Sequence, residues 1–247
     1  MHWVVKWTVL LVAVLVVGSL LLSACSAITP GKGMLTVVST AEPSLSDPSK
    51  FQDSDRWVFM SVAEPLVDHV GNTADIKGML AEKWEAVDDV TWRFTLKKGI
   101  KFHDGSTLDA QGLKGAMDWL LRKESIGSSG ELRAQVADKG PVTVVSDYVV
   151  DFKTKVPNPI FPAYLLRVAI PSPKQAREDP ESLTTNLYGS GPYRIKEWAK
   201  GQYVLLEAFP DYWGPKPPVK EVKFVFRKEA TVRVSMLKTG EADVALE

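Results

Sequence analysis

The sequence is poor in cysteine, since its 247 residues include only one, Cys25. A single cysteine excludes an intramolecular disulfide and a cysteine-based zinc site. The chain also lacks an excess of either charge, because 30 basic side chains balance 30 acidic ones. A surface that binds phosphate backbones usually shows a clear basic excess, so we predict no nucleic-acid partner. His69 and His103 do not form a cluster with metal-ligand spacing, and neither a metal site nor a cofactor is predicted.

Long apolar runs are also missing, except at the N-terminus. Lys6 precedes an apolar run from Trp7 to Leu22, and Leu22-Ser23-Ala24-Cys25 follows. A basic start, an apolar stretch and small residues predict a secretory signal over residues 1–24. The run is close to the shortest length that spans a bilayer, so a transmembrane anchor stays open as an alternative. The order Leu-Ser-Ala-Cys resembles the lipobox of bacterial lipoproteins.

That resemblance implies that Cys25 becomes the lipidated first residue of an exported protein, held at the outer face of the cell membrane or in the periplasm. Residues 25–34 include Pro30, Gly31 and Gly33, and we interpret them as a short flexible tether. One acyl chain alone binds a membrane weakly, so stable anchoring requires more than one lipid chain.

From residue 35 onward, hydrophobic periodicity predicts a mixed α/β fold. Trp92, Phe94 and Leu96 alternate with polar residues, which is typical of a half-buried strand. A helix is predicted around Leu113, where apolar residues recur at helical spacing through Leu121 and where Asp109 or Thr107 is a candidate N-cap. Further predicted strands are Leu35–Ser39, Val142–Val145, Val149–Lys153, Tyr193–Trp198, Tyr203–Phe209 and Val219–Phe226.

Two further helices, one loop and one strand complete this prediction. A helix begins near Asp55 and stops before Pro65, and another ends at Gly240. The glycines and serines from Gly127 to Gly130 predict a flexible loop. A new apolar strand is expected at Val244-Ala245-Leu246.

Ser190 lies between two glycines and invites comparison with a catalytic nucleophile. A nucleophile elbow needs Gly-x-Ser-x-Gly at a strand-to-helix turn, whereas Pro192 here leads into a predicted strand. His103-Asp104 is better explained as a polar turn than as a metal or catalytic pair. The sequence therefore predicts a protein that is not an enzyme.

A series of short segments, taken in order, resembles one family. The segments are Leu80-Ala81-Glu82-Lys83-Trp84-Glu85, the stretch Trp92 to Gly105, Gly189-Ser190-Gly191-Pro192-Tyr193, Tyr212-Trp213-Gly214 and Gly240-Glu241-Ala242-Asp243. Together they are similar to the extracellular solute-binding proteins of family 5, which serve peptide, nickel and related ABC importers. The similarity extends from about residue 35 to the end of the sequence.

This resemblance implies the base lobe of a periplasmic-binding-protein-like class C fold, with an inserted β-rich subdomain. The base lobe is assigned to residues 35–63 and 177–247, and the inserted subdomain to residues 64–176. Family members close over the solute with a second lobe. We expect that lobe to be missing from this chain, and we expect the chain alone to bind solute weakly.

The resemblance also implies a function and candidate contacts. We expect a substrate-binding lipoprotein of an ABC importer that captures peptide-like solutes outside the membrane and hands them to permease subunits. Gln52 and Ser54 are candidate solute contacts that pair with a peptide main chain, and Tyr188, Gly189 and Ser190 are candidates beside the cleft. Two alternatives stay open: an exported lipoprotein hydrolase, and a solute sensor that is not coupled to import.

Overall fold

A five-stranded mixed sheet is built around the N-terminal strand. The computed structural model describes residues 33–43, 47–51 and 55–246. Strand β1 (Met34–Ser39) lies between two strands from the far end of the chain, Glu221–Phe226 and Val244–Ala245, and runs parallel to both. The hydrophobic faces of β1 and its neighbours carry Val37, Val38 and Phe224, all of which are buried.

The same sheet continues through a hairpin. Strands Tyr193–Ala199 and Tyr203–Ala208 pair antiparallel, and the second of them also pairs with Glu221–Phe226. Gly201 has φ +73° in the connecting turn, a conformation that favours glycine. Numbered along the chain, these strands are β8, β9, β10 (Glu221–Phe226) and β11 (Val244–Ala245), and the sheet order is β11-β1-β10-β9-β8.

A second, four-stranded sheet is wholly antiparallel. Its strands are β4 (Ala81–Asp88), β5 (Thr91–Leu96), β6 (Val142–Ser146) and β7 (Val149–Lys153), in the order β4-β5-β7-β6. Its core face is aromatic, since the rings of Phe94 and Phe152 meet edge to face with centroids 5.4 Å apart. On the other face, Arg93 Nε donates to Asp151 Oδ1 at 2.8 Å. The predicted alternation in this segment is confirmed.

The remaining elements are a short hairpin and several helices. Strands β2 (Val67–His69) and β3 (Ile76–Gly78) pair antiparallel. The α-helices are α1 (Arg56–Val62), α2 (Ala110–Leu120), α3 (Gly127–Gln135), α4 (Pro173–Glu178) and α5 (Ala230–Thr239), and 3-10 helices cover Pro48–Lys50, Phe161–Leu165 and Pro180–Thr184.

Helix α2 confirms the predicted stripe and cap. Leu113, Met117 and Leu120 are fully buried, and the Asp109 side chain accepts a hydrogen bond from the Gly112 N–H at 2.6 Å. Of the two candidate caps, Asp109 is therefore the one used. Leu121 lies one residue beyond the helix end.

The loop predicted from Gly127 to Gly130 is wrong, because these residues begin helix α3. Contacts with the segment before α1 explain the difference. Ile126 N–H donates to the Ser49 carbonyl at 3.0 Å, and the Ser129 hydroxyl donates to the Pro48 carbonyl at 3.3 Å. Tertiary contacts of this kind override the low helix propensity of glycine and serine.

The predicted N-terminal segments lie almost entirely outside the described residues. This holds for the signal over 1–24, for Cys25 and for the tether over 25–34 apart from its last two residues. Of those two, Met34 belongs to β1. Across residues 33–43, 47–51 and 55–246, no helix combines the length and the apolar character needed to cross a membrane.

Candidate functional site

The segment Tyr188-Gly189-Ser190-Gly191-Pro192, here called the glycine loop, packs against the C-terminal end of α1. A Cβ atom on Gly189 would lie 2.2 Å from the Val62 carbonyl oxygen, and one on Gly191 would lie 2.5 Å from the Ser61 carbonyl oxygen. The Gly191 N–H donates to the Val62 carbonyl at 2.9 Å. The loop therefore contains glycine because its backbone runs in contact with the helix end.

His103 holds the glycine loop from a second side through three hydrogen bonds. Its backbone N–H donates to the Gly189 carbonyl at 2.9 Å, and its Nδ1 accepts from the Gly189 N–H at 3.2 Å. Its Nε2 lies 3.0 Å from the Gly191 carbonyl oxygen. Because Nδ1 accepts, the proton of a neutral imidazole must reside on Nε2, where it is donated to Gly191.

Burial keeps this imidazole neutral. Desolvation lowers the pKa of His103 to about 4, and the hydrogen bond to the Gly191 carbonyl only partly opposes that shift. The ring of Phe209 packs edge to face against His103 with centroids 4.8 Å apart. A protonated ring would place an N–H opposite the Gly189 N–H, so the neutral form is the one that the loop geometry requires.

Glu64 receives three side-chain donors in the core behind the loop. The Ser190 hydroxyl donates to Oε2 at 2.9 Å, the Trp213 indole N–H donates to Oε2 at 2.7 Å, and the Tyr212 hydroxyl donates to Oε1 at 2.7 Å. Glu64 is 1% exposed and Ser190 is 0% exposed. Glu64 thus joins the end of α1, the glycine loop and the Tyr212-Trp213-Gly214 segment.

Opposing effects act on the Glu64 carboxyl group. Burial raises its pKa, whereas the hydrogen bonds from Tyr212, Trp213 and Ser190 lower it, as does the positive charge of Lys97. The Lys97 ammonium group also lies 4.8 Å from the centroid of the Trp213 ring. The three donors and the lysine compensate a carboxylate that would otherwise be costly to bury.

A second polar cluster fixes Tyr188. The Tyr188 N–H donates to Gln175 Oε1 at 2.9 Å, and its carbonyl accepts from the Ser172 N–H at 2.7 Å. The Ser172 hydroxyl in turn donates to Asp104 Oδ2, and Asp104 Oδ1 accepts from the Ser106 hydroxyl at 2.6 Å. Both backbone hydrogen-bonding groups of Tyr188 are therefore paired, while its side chain is 37% exposed.

The structure brings three of the predicted solute contacts together but presents them differently. Tyr188 offers its side chain to solvent, whereas Gly189 and Ser190 are buried and their groups face His103 and Glu64. Gln52 and Ser54 lie outside the described residues. Direct solute contact by these five residues stays a prediction.

The sequence reasoning missed Glu64, Gln175 and Ser172 as parts of this site. Glu64 did carry a signal, because it is a lone charge within the apolar run from Val62 to Val67. Such a residue must either end the run or be satisfied inside the core. Its partners are 126 to 149 residues away, so the sequence pattern could not identify them.

The geometry around Ser190 is that of a structural hydroxyl. Its proton is directed to Glu64, and both ring nitrogens of His103 are engaged by Gly189 and Gly191. The described part of the chain contains no group of three or more His, Cys, Asp or Glu side chains that could hold a metal ion.

Three segments that carried the family resemblance meet at this one place: the His103-Asp104-Gly105 turn, the glycine loop and Tyr212-Trp213-Gly214. The sequence pattern of the bacterial extracellular solute-binding proteins, family 5 Middle, matches residues 75–247. The chain belongs to this family. The predicted membership is confirmed, and so is the mixed α/β fold of the family's periplasmic binding proteins.

Relatives of the chain are binding proteins. The probable D,D-dipeptide-binding periplasmic protein DdpA of Escherichia coli is 30% identical over 227 residues, which cover 87% of this chain and 43% of DdpA. The oligopeptide-binding protein AppA of Bacillus subtilis is 29% identical over 261 residues, which cover 96% of this chain and 47% of AppA. The chain therefore spans less than half the length of these relatives.

Solved structures show the same fold. AppA of Bacillus subtilis in complex with a nonapeptide has a TM-score of 0.73 and 28% identity, covering 85% of this chain and 43% of AppA. NikZ of Campylobacter jejuni in complex with Ni(L-His) has a TM-score of 0.77 at 21% identity, covering 87% and 43% of the two chains. The coverage is consistent with one lobe of such a protein.

Proposed function

We propose that this chain is the solute-binding component of an ABC importer that captures peptide-like solutes outside the membrane and delivers them to permease subunits. The observation that carries this proposal is the family match over residues 75–247. The peptide-binding relatives support the choice of solute class, since DdpA is named for dipeptides and AppA for oligopeptides. Affinity in such a protein comes from closing two lobes around the solute by hinge motion.

Within this proposal, the described sheets divide between two parts. Residues 35–63 and 177–247 form the base lobe and contribute the five-stranded sheet. Residues 64–176 form the inserted subdomain and contribute the four-stranded sheet. The glycine loop lies where the two parts meet, because His103 and Glu64 hold residues 189–191 by hydrogen bonds.

Solute contact is assigned to Tyr188 and, from the family resemblance alone, to Gln52 and Ser54. Tyr188 is suited to contact because its backbone is fixed by Gln175 and Ser172 while its ring is free to pack against a ligand. A rigid aromatic ring supplies contact area at a low cost in conformational entropy. Gly189 and Ser190 are assigned to the same site as buried neighbours that fix the loop beside this ring.

Mass spectrometry of solute that co-purifies with the full-length protein tests the solute class, and we expect peptides. Calorimetry with that identified solute then tests the contact. Tyr188→Ala should weaken binding about tenfold, in line with loss of a buried aromatic contact. Tyr148→Ala, in the turn between β6 and β7, is the matched control and should bind as the wild type does. The proposal would be contradicted if the full-length protein carried no co-purified peptide and also bound none from a random tripeptide pool.

We propose further that Cys25 is lipidated after export. The support is the order Leu22-Ser23-Ala24-Cys25 after an apolar run. Metabolic labelling with a fatty acid should mark the wild-type protein and not Cys25→Ser, which should be released from membranes or keep its signal segment. Equal labelling of both proteins would disprove lipidation at this residue.

We infer that the protein is not a hydrolase, because Ser190 is buried and its hydroxyl donates a hydrogen bond to Glu64. Peptides and esters incubated with the purified protein should remain intact. Turnover that disappears in Ser190→Ala would show that this inference is wrong.

A further inference from the structure

A polar groove lies between the start of α1 and the β2–β3 hairpin, and the functions proposed above do not use it. Its volume is about 540 Å³, within the range of roughly 300–1,000 Å³ that is usual for small-molecule sites. Among the side chains that line it are those of Arg56, Asp68, His69, Asn72, Thr73 and Lys77. The groove therefore combines two cations, one carboxylate and several neutral polar groups.

Three of the polar side chains in the groove, those of Asp68, Thr73 and Lys77, are already engaged. Asp68 Oδ2 lies 3.8 Å from the Lys77 ammonium nitrogen, and Asp68 Oδ1 accepts from the His69 backbone N–H at 2.8 Å. The Thr73 hydroxyl donates to the Val70 carbonyl at 2.8 Å, and the exposed Asp75 receives only a long contact of 3.5 Å from the same hydroxyl. The acidic side chains of the hairpin thus face the hairpin itself.

Arg56 is different. Within residues 33–43, 47–51 and 55–246, its guanidinium group forms no hydrogen bond and no ion pair, although the side chain is only half-buried and lines the groove. A guanidinium group has five N–H donors in a planar fork that matches the two oxygens of a carboxylate or phosphate group. The groove consequently offers one cation that is not neutralised by any described neighbour.

His69 supplies a second, independent observation. Its Nδ1 atom is buried and has no hydrogen-bond partner among the described residues. A buried polar atom without a partner costs about 1–3 kcal/mol, so natural structures rarely keep one without a reason. An anionic ligand oxygen would accept a hydrogen bond from Nδ1–H once the imidazole ring turns toward the groove, and this contact would remove that cost.

We propose that this groove binds a small molecule through a carboxylate or phosphate group. Arg56 holds the group with its planar fork, and His69 donates from Nδ1. Lys77 adds attraction but contributes less, because Asp68 already neutralises part of its charge. The site stands on these side chains alone and does not depend on the importer role. The carboxylate of the imported solute and a separate anion are two sources of the same chemistry.

Isothermal titration of the full-length protein with inorganic phosphate and with succinate tests the site, at a fixed low ionic strength so that charge is not screened. At least one of the two anions should bind. Arg56→Gln should weaken its binding about tenfold or more, because a charge-assisted bidentate contact is lost. Lys77→Gln should weaken it by less. Lys139→Gln, an exposed lysine far along the chain in the loop before β6, removes the same charge and should leave binding unchanged.

Nuclear magnetic resonance supplies a readout at the site. The ring signals of His69 should shift when the anion is added, whereas those of His103 should not, since both of its ring nitrogens are held by the glycine loop. Competition then separates the sources: displacement of the anion by the co-purified solute assigns the groove to the solute's own carboxylate, and simultaneous binding assigns it to a second ligand. Absence of binding by both anions, or equal binding by Arg56→Gln and wild type, would overturn the proposal.

Discussion

The glycine loop and the groove beside the β2–β3 hairpin differ in whether their polar groups have hydrogen-bond partners. In the glycine loop, Tyr188, Gly189 and Gly191 have both backbone groups paired, and the Ser190 hydroxyl is bound by Glu64. In the groove, by contrast, Arg56 has no described partner and His69 Nδ1 is buried without one. Both regions contact α1, one at each end.

The difference indicates a structural role for the loop and a binding role for the groove. A fully paired network holds one conformation, because each alternative would leave a buried polar group unsatisfied. A region with spare donors keeps its hydrogen-bonding capacity for something else. The comparison therefore predicts that substitutions in the loop reduce stability, whereas substitutions in the groove reduce binding and spare stability.

Glu64 gives the largest expected effect on the loop side. Glu64→Leu removes the acceptor for Ser190, Tyr212 and Trp213 and should lower the free energy of unfolding by about 3 kcal/mol or more. Urea unfolding followed by fluorescence measures it. Glu131→Ala removes an exposed carboxylate on α3 and should change stability by less than about 0.5 kcal/mol. Similar urea midpoints for the two variants would mean that the Glu64 network does not hold the loop.

A pair of glycine substitutions gives the next effect, and the two should have opposite signs. Gly189→Ala places a methyl group 2.2 Å from the Val62 carbonyl oxygen and should destabilise the protein by about 1–3 kcal/mol. Gly115→Ala, within α2, meets nothing within 4 Å and should stabilise it by about 0.5–1 kcal/mol. Thermal unfolding of both variants measures the difference. A stabilising Gly189→Ala would show that the loop does not pack against α1.

The lowered pKa of His103 should make the free energy of unfolding depend on pH, and this dependence arises in the glycine loop. Its pKa is lowered to about 4 in the folded protein, from an ordinary value of 6.5, so the unfolded chain binds the additional proton between these values. The contribution of the neutral His103 imidazole to the free energy of unfolding is complete above pH ~6.5. It is lost as the pH falls toward 4, with a slope of about 1.4 kcal/mol per pH unit. Subtracting the unfolding curve of His103→Gln from that of the wild type isolates this slope. A flat difference between pH 6.5 and 4 would contradict the buried, neutral imidazole.

The smallest effect is expected in the groove. Arg56→Gln should change the free energy of unfolding by less than about 0.5 kcal/mol, since the guanidinium group makes no described contact that the variant would break. The same urea experiment measures it beside Glu64→Leu. A loss of 2 kcal/mol would place Arg56 among the structural residues and would remove the contrast between the two regions.

Periodic segments were predictable from the sequence. The alternation at Trp92, Phe94 and Leu96 and the stripe beginning at Leu113 each report on one face of one element, so a single stretch of chain contains the information. The start of α3 at Gly127 was not predictable, because contacts from Pro48 and Ser49 determine it. Local propensity predicts a loop there, and distant neighbours override it.

The site followed the same division. The glycine loop was visible as a turn because glycine and proline mark turns, and the family resemblance made it a candidate for solute contact. The role of Ser190 within it depends on Glu64, which lies 126 residues earlier, and the tautomer of His103 depends on Gly189 and Gly191. Sequence reasoning identifies the segments of such a site. Which atoms form hydrogen bonds with each other depends on how the segments pack in the folded protein.

Strand β1 has a consequence for the order of folding. Its two neighbours in the sheet begin at residues 221 and 244, so the first strand of the sheet has no strand partner until nearly all the described chain exists. Pairing at such sequence separations raises contact order and slows folding. During synthesis the chain therefore emerges with its first strand unpaired and its large sheet open.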